Sequence, residues 1–140
     1  MIAFTGTRDL RGGEEAVIVK VLGALPPASW LVVGGAEGVD TAVARIGKAL
    51  GHHIHLVIPA AYWCLESADY AETTEYARRG SSAAHSYKLR DERMVELGDS
   101  LIAFPPTAVE EVRSGTWMTI RIARRLGKPY QIYPLRGTER

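Results

Sequence analysis

Cysteine is almost missing from this chain. Cys64 is the only one in 140 residues, so no intramolecular disulfide can form, and a reducing, cytoplasmic setting is the default expectation. Charge of one sign is missing too. The formal net charge of +1 gives no global attraction toward nucleic acid or a membrane surface, and nucleic acid is not the expected partner. No apolar run is long enough to span a bilayer, and the first residues read as a strand rather than as a signal peptide. Internal repeats, low-complexity tracts and an evident interdomain linker are likewise lacking. What is present is a 46% hydrophobic content, enough for one ordinary domain with a sizeable core. That domain is expected over residues 1–135, with 136–140 as a frayed tail.

The chain is organised around the stretch from Leu31 to Asp40. Leu31-Val32-Val33 is an apolar, β-branched run that reads as a buried strand. It breaks at Gly34-Gly35, passes Ala36-Glu37-Gly38, and resumes at Val39-Asp40 as an amphipathic helix. Glycines at such a turn allow sharp bending and close approach of a ligand, and a helix start offers free N–H groups to an anion. A plain tight turn with Asp40 stabilising the helix start is the competing reading. The pattern GGxxGxD is neither the dinucleotide fingerprint nor a P-loop.

The remaining elements follow in order. Ile2–Thr5 is a first strand, running into Gly6-Thr7-Arg8-Asp9, where Arg8 is either a bidentate phosphate ligand or a solvated loop arginine. Glu14–Leu25 reads as a helix closed by Pro26-Pro27, and Trp30–Val33 as the second strand. Val39, Val43, Ile46 and Leu50 define one packed face of the next helix, with Gly51 as its stop. The third strand, Ile54–Ile58, carries His53 and His55 on one side. A zinc site needs further ligands of the kind Cys64 and His85 could offer, and a strand edge is expected there and no metal.

Pro59 ends that strand, and Tyr62-Trp63 beyond it either stack on a base or pack over the sheet edge. Glu66–Arg79 reads as helical, Arg90–Leu97 as a short helix, and Leu101–Phe104 as the fourth strand, stopped by Pro105-Pro106. Ser114-Gly115-Thr116 is a second small-residue turn opening a helix that stops near Gly127, and Tyr130–Tyr133 is the last strand. Strands alternating with helices predict an α/β fold, a three-layer Rossmann-like sandwich around a mainly parallel sheet of five or more strands. Ligands in such folds bind beyond the carboxyl ends of the strands. The convergence there of two small-residue turns and two arginines points to a phosphorylated ligand, most economically a nucleotide.

The order Gly34 to Asp40, Pro59, Arg90-Asp91-Glu92-Arg93-Met94, Asp99, Ala103-Phe104-Pro105 and Ser114-Gly115-Thr116 resembles the SLOG superfamily. That superfamily includes the Lonely Guy nucleoside-monophosphate phosphoribohydrolases and the Rossmann-like core of DNA processing protein A. The resemblance spans nearly the whole chain and is nearest to short stand-alone members. It implies a nucleotide pocket lined by Gly6, Thr7, Arg8, and Gly34 through Asp40, with Pro59, Met94, Phe104 and Pro105 at neighbouring motif positions. It further implies that Arg90 matches an arginine that acts in the hydrolases, and that Ser114, Gly115 and Thr116 match their phosphate-binding turn. The hydrolases carry a catalytic glutamate where this chain has Thr119, and threonine cannot replace a carboxylate in acid/base work.

The leading expectation is therefore a nucleotide-binding or sensing module without the hydrolase glutamate and without a separate cofactor. The alternatives are an N-glycosidase using Glu37, Glu110 or Glu111, and a single-stranded DNA binder. In the final helix, Met118, Thr119, Ile122, Ala123 and Leu126 are expected to face the sheet, and Trp117 to lie on the opposite, basic side. An exposed Trp117 fits a homo-oligomer interface, dimer or dimer of dimers, in preference to base stacking or nucleic-acid contact.

Overall fold

The computed structural model describes residues 1–136. Six strands form one all-parallel sheet: β1 (Ile2–Gly6), β2 (Trp30–Val33), β3 (His53–Ile58), β4 (Thr73–Tyr76), β5 (Ser100–Phe104) and β6 (Tyr130–Ile132). Their spatial order is β4-β3-β2-β1-β5-β6. Among the described residues four α-helices accompany the sheet: α1 (Glu15–Gly23), α2 (Val39–Ala49), α3 (Ala83–Leu97) and α4 (Gly115–Arg125). The expected three-layer Rossmann-like architecture is thus observed.

Strand alternation divides the core in two. Phe4, Leu31, Val33, Ile54, Leu56, Ile102 and Phe104 pack under α1 and α2. Ala3, Val32, Val57, Leu101 and Ala103 pack under α3 and α4. Burial on both faces explains the near-continuous apolar strand sequences. Each fully buried leucine, isoleucine or phenylalanine contributes about 1.5–3 kcal/mol. The chain moves outward from β1 through β2 and β3 on one side, then returns through α3 to β5 on the other. The switch point therefore lies between the carboxyl ends of β1 and β5, where Gly6 pairs with Phe104.

Three expectations need correction. The segment 66–79 is not a helix: a 3-10 turn at Leu65–Asp69 leads into β4. Thr73, Thr74 and Tyr76 favour a strand, and His55 supplies tertiary support, with its Nδ1 2.7 Å from Thr73 Oγ1 and its Nε2 2.8 Å from Glu75 Oε1. Arg93 Nε donates to Glu75 Oε2 at 2.6 Å. That bond, with help from His55, holds the Glu75 carboxyl below its ordinary range. Next, α3 begins seven residues before Arg90, at Ala83, where Ser82 caps it by accepting from the His85 N–H at 3.1 Å.

Finally, Trp117 is not a surface residue. It is 3% exposed and lies in the core beneath α4 with Ile120, Ile122 and Ala123, whereas Leu126 is 43% exposed. The buried face of α4 is rotated from the expected one: Trp117 and Ile120 turn inward beside Thr119, Ile122 and Ala123, Leu126 turns outward, and Arg121 and Arg124 reach sideways to Glu110 at 3.0 Å each. Trp117 therefore gives no support to a subunit interface. Of the expected tail, Arg136 pairs with Glu14 (Nε to Oε2, 2.7 Å), and residues 137–140 lie outside the described residues.

Candidate functional site

A cleft of about 570 Å³ opens at the switch point. Its floor and walls come from the end of β1 (Thr5 to Arg8), the rim of the glycine turn (Ala36, Asp40), the middle of α3 (Tyr87, Arg90, Asp91, Met94) and the turn into α4 (Arg113 to Thr116). The structure thus brings together Gly6, Thr7, Arg8, Ala36, Asp40, Arg90, Met94, Ser114, Gly115 and Thr116 from the expected set.

The other expected residues take supporting places. Phe104 is fully buried and stacks with Phe4 at 6.5 Å between ring centroids, and the Pro105 carbonyl accepts from Leu135 N–H at 3.0 Å. Pro59 lines a separate hollow at the end of β3, and Glu37 lines a small pocket beside the main cleft. Gly34 lies under Arg90: a Cβ there would meet the Arg90 side chain at 2.7 Å. Gly38 and Val39 carry the Thr7–Arg8 turn. The Val39 N–H donates to Thr7 O at 3.0 Å, and Gly38, at φ 78°, leaves no room for a side chain.

The two helix starts differ in what they offer a ligand. Before α2 the loop donors are engaged, with Asp40 Oδ2 accepting from the Gly34 N–H at 3.1 Å and the Ala36 N–H at 3.2 Å, and Thr7 O takes the Val39 N–H; the remaining first-turn N–H groups, of Asp40 and Thr41, belong to buried residues. This geometry favours the plain-turn reading of GGxxGxD. At α4, Ser114 Oγ accepts from the Trp117 N–H at 3.2 Å, while helical geometry leaves the N–H groups of Gly115 and Thr116 without intrahelical partners. Nothing lies within 4 Å of a Cβ built on Gly115, so the turn is open to a ligand. The Thr116 side chain is 94% buried on the residue's accessibility (6% exposed), lines the cleft, and makes no protein hydrogen bond among the described residues.

A buried charge cluster forms the back wall. Arg90, 6% exposed, donates from Nε to Asp91 Oδ1 at 2.6 Å and from Nη1 to the Gly34 carbonyl. Asp91, also 6% exposed, stands against Thr119, the position of the hydrolase glutamate in the resemblance. Burial raises the Asp91 carboxyl above its ordinary range, against the pull of Arg90. Burial likewise raises Asp40 from 3.8 to about 6, opposed by Arg90 and by its two backbone N–H bonds. In front, Tyr87 orders the arginines. The Arg8 and Arg90 guanidiniums each lie 5.4 Å from its ring centroid, and its hydroxyl donates to Tyr62 O at 2.8 Å. Arg8 is exposed and has no ion-pair partner among the described residues.

Sequence reasoning missed Tyr87 and Asp91 as site residues. Ser82, a sound N-cap residue ahead of Ala83, was the available signal that α3 starts early enough to bring Tyr87 to the cleft. His53 and His55 face Glu72 and the Thr73–Glu75 pair across to the β4 side, away from the cleft. Among the described residues no helix is long and apolar enough to cross a membrane.

Asp40 makes a pH prediction. In the unfolded chain it titrates near 3.8, in the fold near 6. Between those values the native state holds a proton that the unfolded state has released, so this group's contribution to stability falls as pH rises and levels off above about 6. The two-unit difference corresponds to about 3 kcal/mol. Asp40→Asn keeps an acceptor for Gly34 and Ala36 and has no such titration. Its stability relative to the natural protein is expected to rise by about that amount between pH 4 and 7, read from urea midpoints. A constant difference across that range would show that Asp40 is ordinary.

The architecture, with the cleft at its switch point, is a Rossmann-like α/β fold. Two solved structures of DNA processing protein A share it. The Streptococcus pneumoniae protein superposes with a TM-score of 0.75 at 21% identity, over 95% of this chain and 50% of its own. The Helicobacter pylori protein, described for its single-stranded DNA binding mode, gives 0.71 at 20% identity, over 95% of this chain and 64% of its own. The structural-genomics target TM1055 gives 0.67 at 16% identity, over 92% and 71%. This chain therefore spans about half to two thirds of the two DNA processing proteins it matches. No family model and no curated protein matches its sequence.

Proposed function

We propose that the cleft binds a nucleotide, with phosphate held between Arg8 and the first turn of α4. The observation that carries this reading is the open Ser114–Thr116 turn, with free N–H groups, an unengaged Thr116 hydroxyl and Arg8 beside it. Helix N-termini and guanidinium groups are the usual partners of phosphate oxygens. Arg90 is less suited to be the main phosphate ligand, because Asp91 and Asp40 already balance its charge. The role is binding or sensing rather than hydrolysis, since Thr119 stands where the resembling hydrolases place their carboxylate.

Removing Arg8 tests the site with little risk to the fold, because the side chain is exposed. A charge-assisted contact is worth about 1.5–3 kcal/mol, so Arg8→Ala is expected to weaken ADP or AMP binding by about 10- to 100-fold in calorimetric titrations. The expected unfolding temperature is unchanged. Equal affinity for both proteins would remove Arg8 from the site, and absence of nucleotide binding to the natural protein would remove the proposal.

One observation favours a hydrolytic second reading. Asp91 brings a buried carboxyl to the cleft beside Thr119, a better-placed candidate than Glu37 or Glu110, while Glu111 also lines the wall. Its bond to Arg90 counts against acid/base work. The expected outcome of incubating the protein with nucleoside monophosphates is no release of free base. Many turnovers, abolished by Asp91→Asn, would establish the second reading instead.

A further inference from the structure

The two edges of the sheet are not alike. At one, β6 has three residues between Pro129 and Pro134, and Arg124 Nε donates to the Tyr130 hydroxyl at 3.0 Å. At the other, β4 reads Thr73-Thr74-Glu75-Tyr76, without the lysine or proline that guards many exposed edges. It pairs with β3 alone. The Ala77 N–H donates to Ile58 O at 2.8 Å, and peptide groups alternate in direction along a strand. The N–H and C=O groups of Thr74 and Tyr76 therefore point away from β3, and they make no other hydrogen bond among the described residues.

This edge is held in place. His55 and Arg93 bond to the side chains of Thr73 and Glu75, so little further ordering is needed when a partner strand adds. Two hollows flank it, one holding Trp63 and Arg79, the other Leu89 and Glu92 of α3, and Tyr76, 78% exposed, lines both. A strand added there directs its alternate side chains to the two faces. The sign of charge also changes along the edge. Glu66, Asp69 and Glu72 precede β4, and Arg78 and Arg79 follow it, all exposed. Neither arginine has an ion-pair partner among the described residues.

We propose that the β4 edge is a homodimer interface, at which a second copy of this chain adds its own β4 antiparallel to the first and joins two six-stranded sheets into one. The charge pattern is self-complementary in that sense alone. Glu75 is the midpoint between Glu72 and Arg78, so pairing two copies about it sets Glu72 opposite Arg78 and Thr74 opposite Tyr76. The outward peptide groups of Thr74 and Tyr76 then bond to each other across the axis. Glu75 meets its own copy there, with its carboxylate already bound by Arg93. A net charge of +1 leaves little general repulsion between copies. The cleft lies beyond β1, three strands from this edge, so the interface and the nucleotide reading stand independently.

The test is sedimentation velocity of the natural protein, of Arg78→Glu, of Glu72→Arg, and of an equimolar mixture of the two variants. Pairing over so short a strand belongs to the smaller class of interfaces, so tens of micromolar is the range to examine. The natural protein is expected to sediment as a dimer. Each reversal sets like charges opposite each other and is expected to weaken dimerisation by about 10-fold or more. In the mixture both ends of the pairing again carry opposite signs, and the dimer is expected to return. Two proteins with damaged folds would not restore one another, so the mixture separates interface from stability. A natural protein that stays monomeric overturns the proposal. A dimer indifferent to both reversals overturns it in favour of another surface. A mixture that stays monomeric overturns the antiparallel pairing about Glu75 on which it rests.

Discussion

Replacing Arg90 by alanine is expected to lower the unfolding free energy by about 3–5 kcal/mol, the loss that follows when one partner of a buried ion pair is removed. The cause is what remains. Asp91 and Asp40, 6% and 5% exposed in the natural protein, would lose the guanidinium that balances them, and the Gly34 carbonyl would lose its donor. Both carboxyls would bind protons at still higher pH, so the deficit is larger at pH 7 than at pH 4.5. Arg93→Ala is the control. Arg93 is exposed and pairs with Glu75 on the surface, and such pairs contribute about 0–1 kcal/mol. Urea unfolding of both variants at the two pH values measures the contrast. Equal losses for Arg90 and Arg93 would show that the charge cluster does not hold the cleft's back wall.

The second large effect is expected at Gly38. Its backbone lies at φ 78° and ψ −120°, a conformation that alanine adopts only under strain of about 1–3 kcal/mol. A Cβ would also sit 2.5 Å from the Thr7 carbonyl oxygen and 2.6 Å from that of Arg8. These are backbone atoms, so no side-chain rotation relieves the clash. The Thr7–Arg8 turn must move away, and the Val39 N–H to Thr7 bond breaks with it. Gly38→Ala is expected to cost about 3 kcal/mol or more and to weaken nucleotide binding through displacement of Arg8. Gly12→Ala, with nothing within 4 Å of its Cβ position, is the matched control. A Gly38→Ala protein as stable as Gly12→Ala would contradict the packing of β1's turn on α2.

The contrast between these two sites shows what was legible in the sequence. Strands buried on both faces, such as Trp30–Val33 and Leu101–Phe104, announce themselves as apolar runs, and both lie where expected. Thr73–Tyr76 does not, because an edge strand with exposed Thr73, Thr74 and Tyr76 has no apolar alternation, and its pairing depends on His55 from a distant part of the chain. The helix carrying Arg90 hid its start for a related reason. Its inward face holds Ser86, Arg90 and Asp91 as well as Met94 and Val95, so hydrophobic periodicity fails where the site is built. Trp117 was misplaced because α4 buries a wide arc, Thr116 lining the cleft while Trp117, Ile120, Ile122 and Ala123 pack in the core, wider than a single apolar stripe suggests.

The glycine turn was conspicuous, but its role was not. GGxxGxD marked a tight strand-to-helix turn, while the partner of its donors, Asp40 itself, became apparent only with the fold. The turn at Ser114–Thr116 is less conspicuous in sequence and presents the freer donors.

A crystal structure of the protein with ADP tests the central claim most directly. The account predicts phosphate oxygens within hydrogen-bond reach of the Gly115 and Thr116 N–H groups and the Arg8 guanidinium, with the nucleoside in the cleft between β1 and α4. A nucleotide bound away from that turn, with Arg8 and Thr116 making no contact to it, would contradict the account.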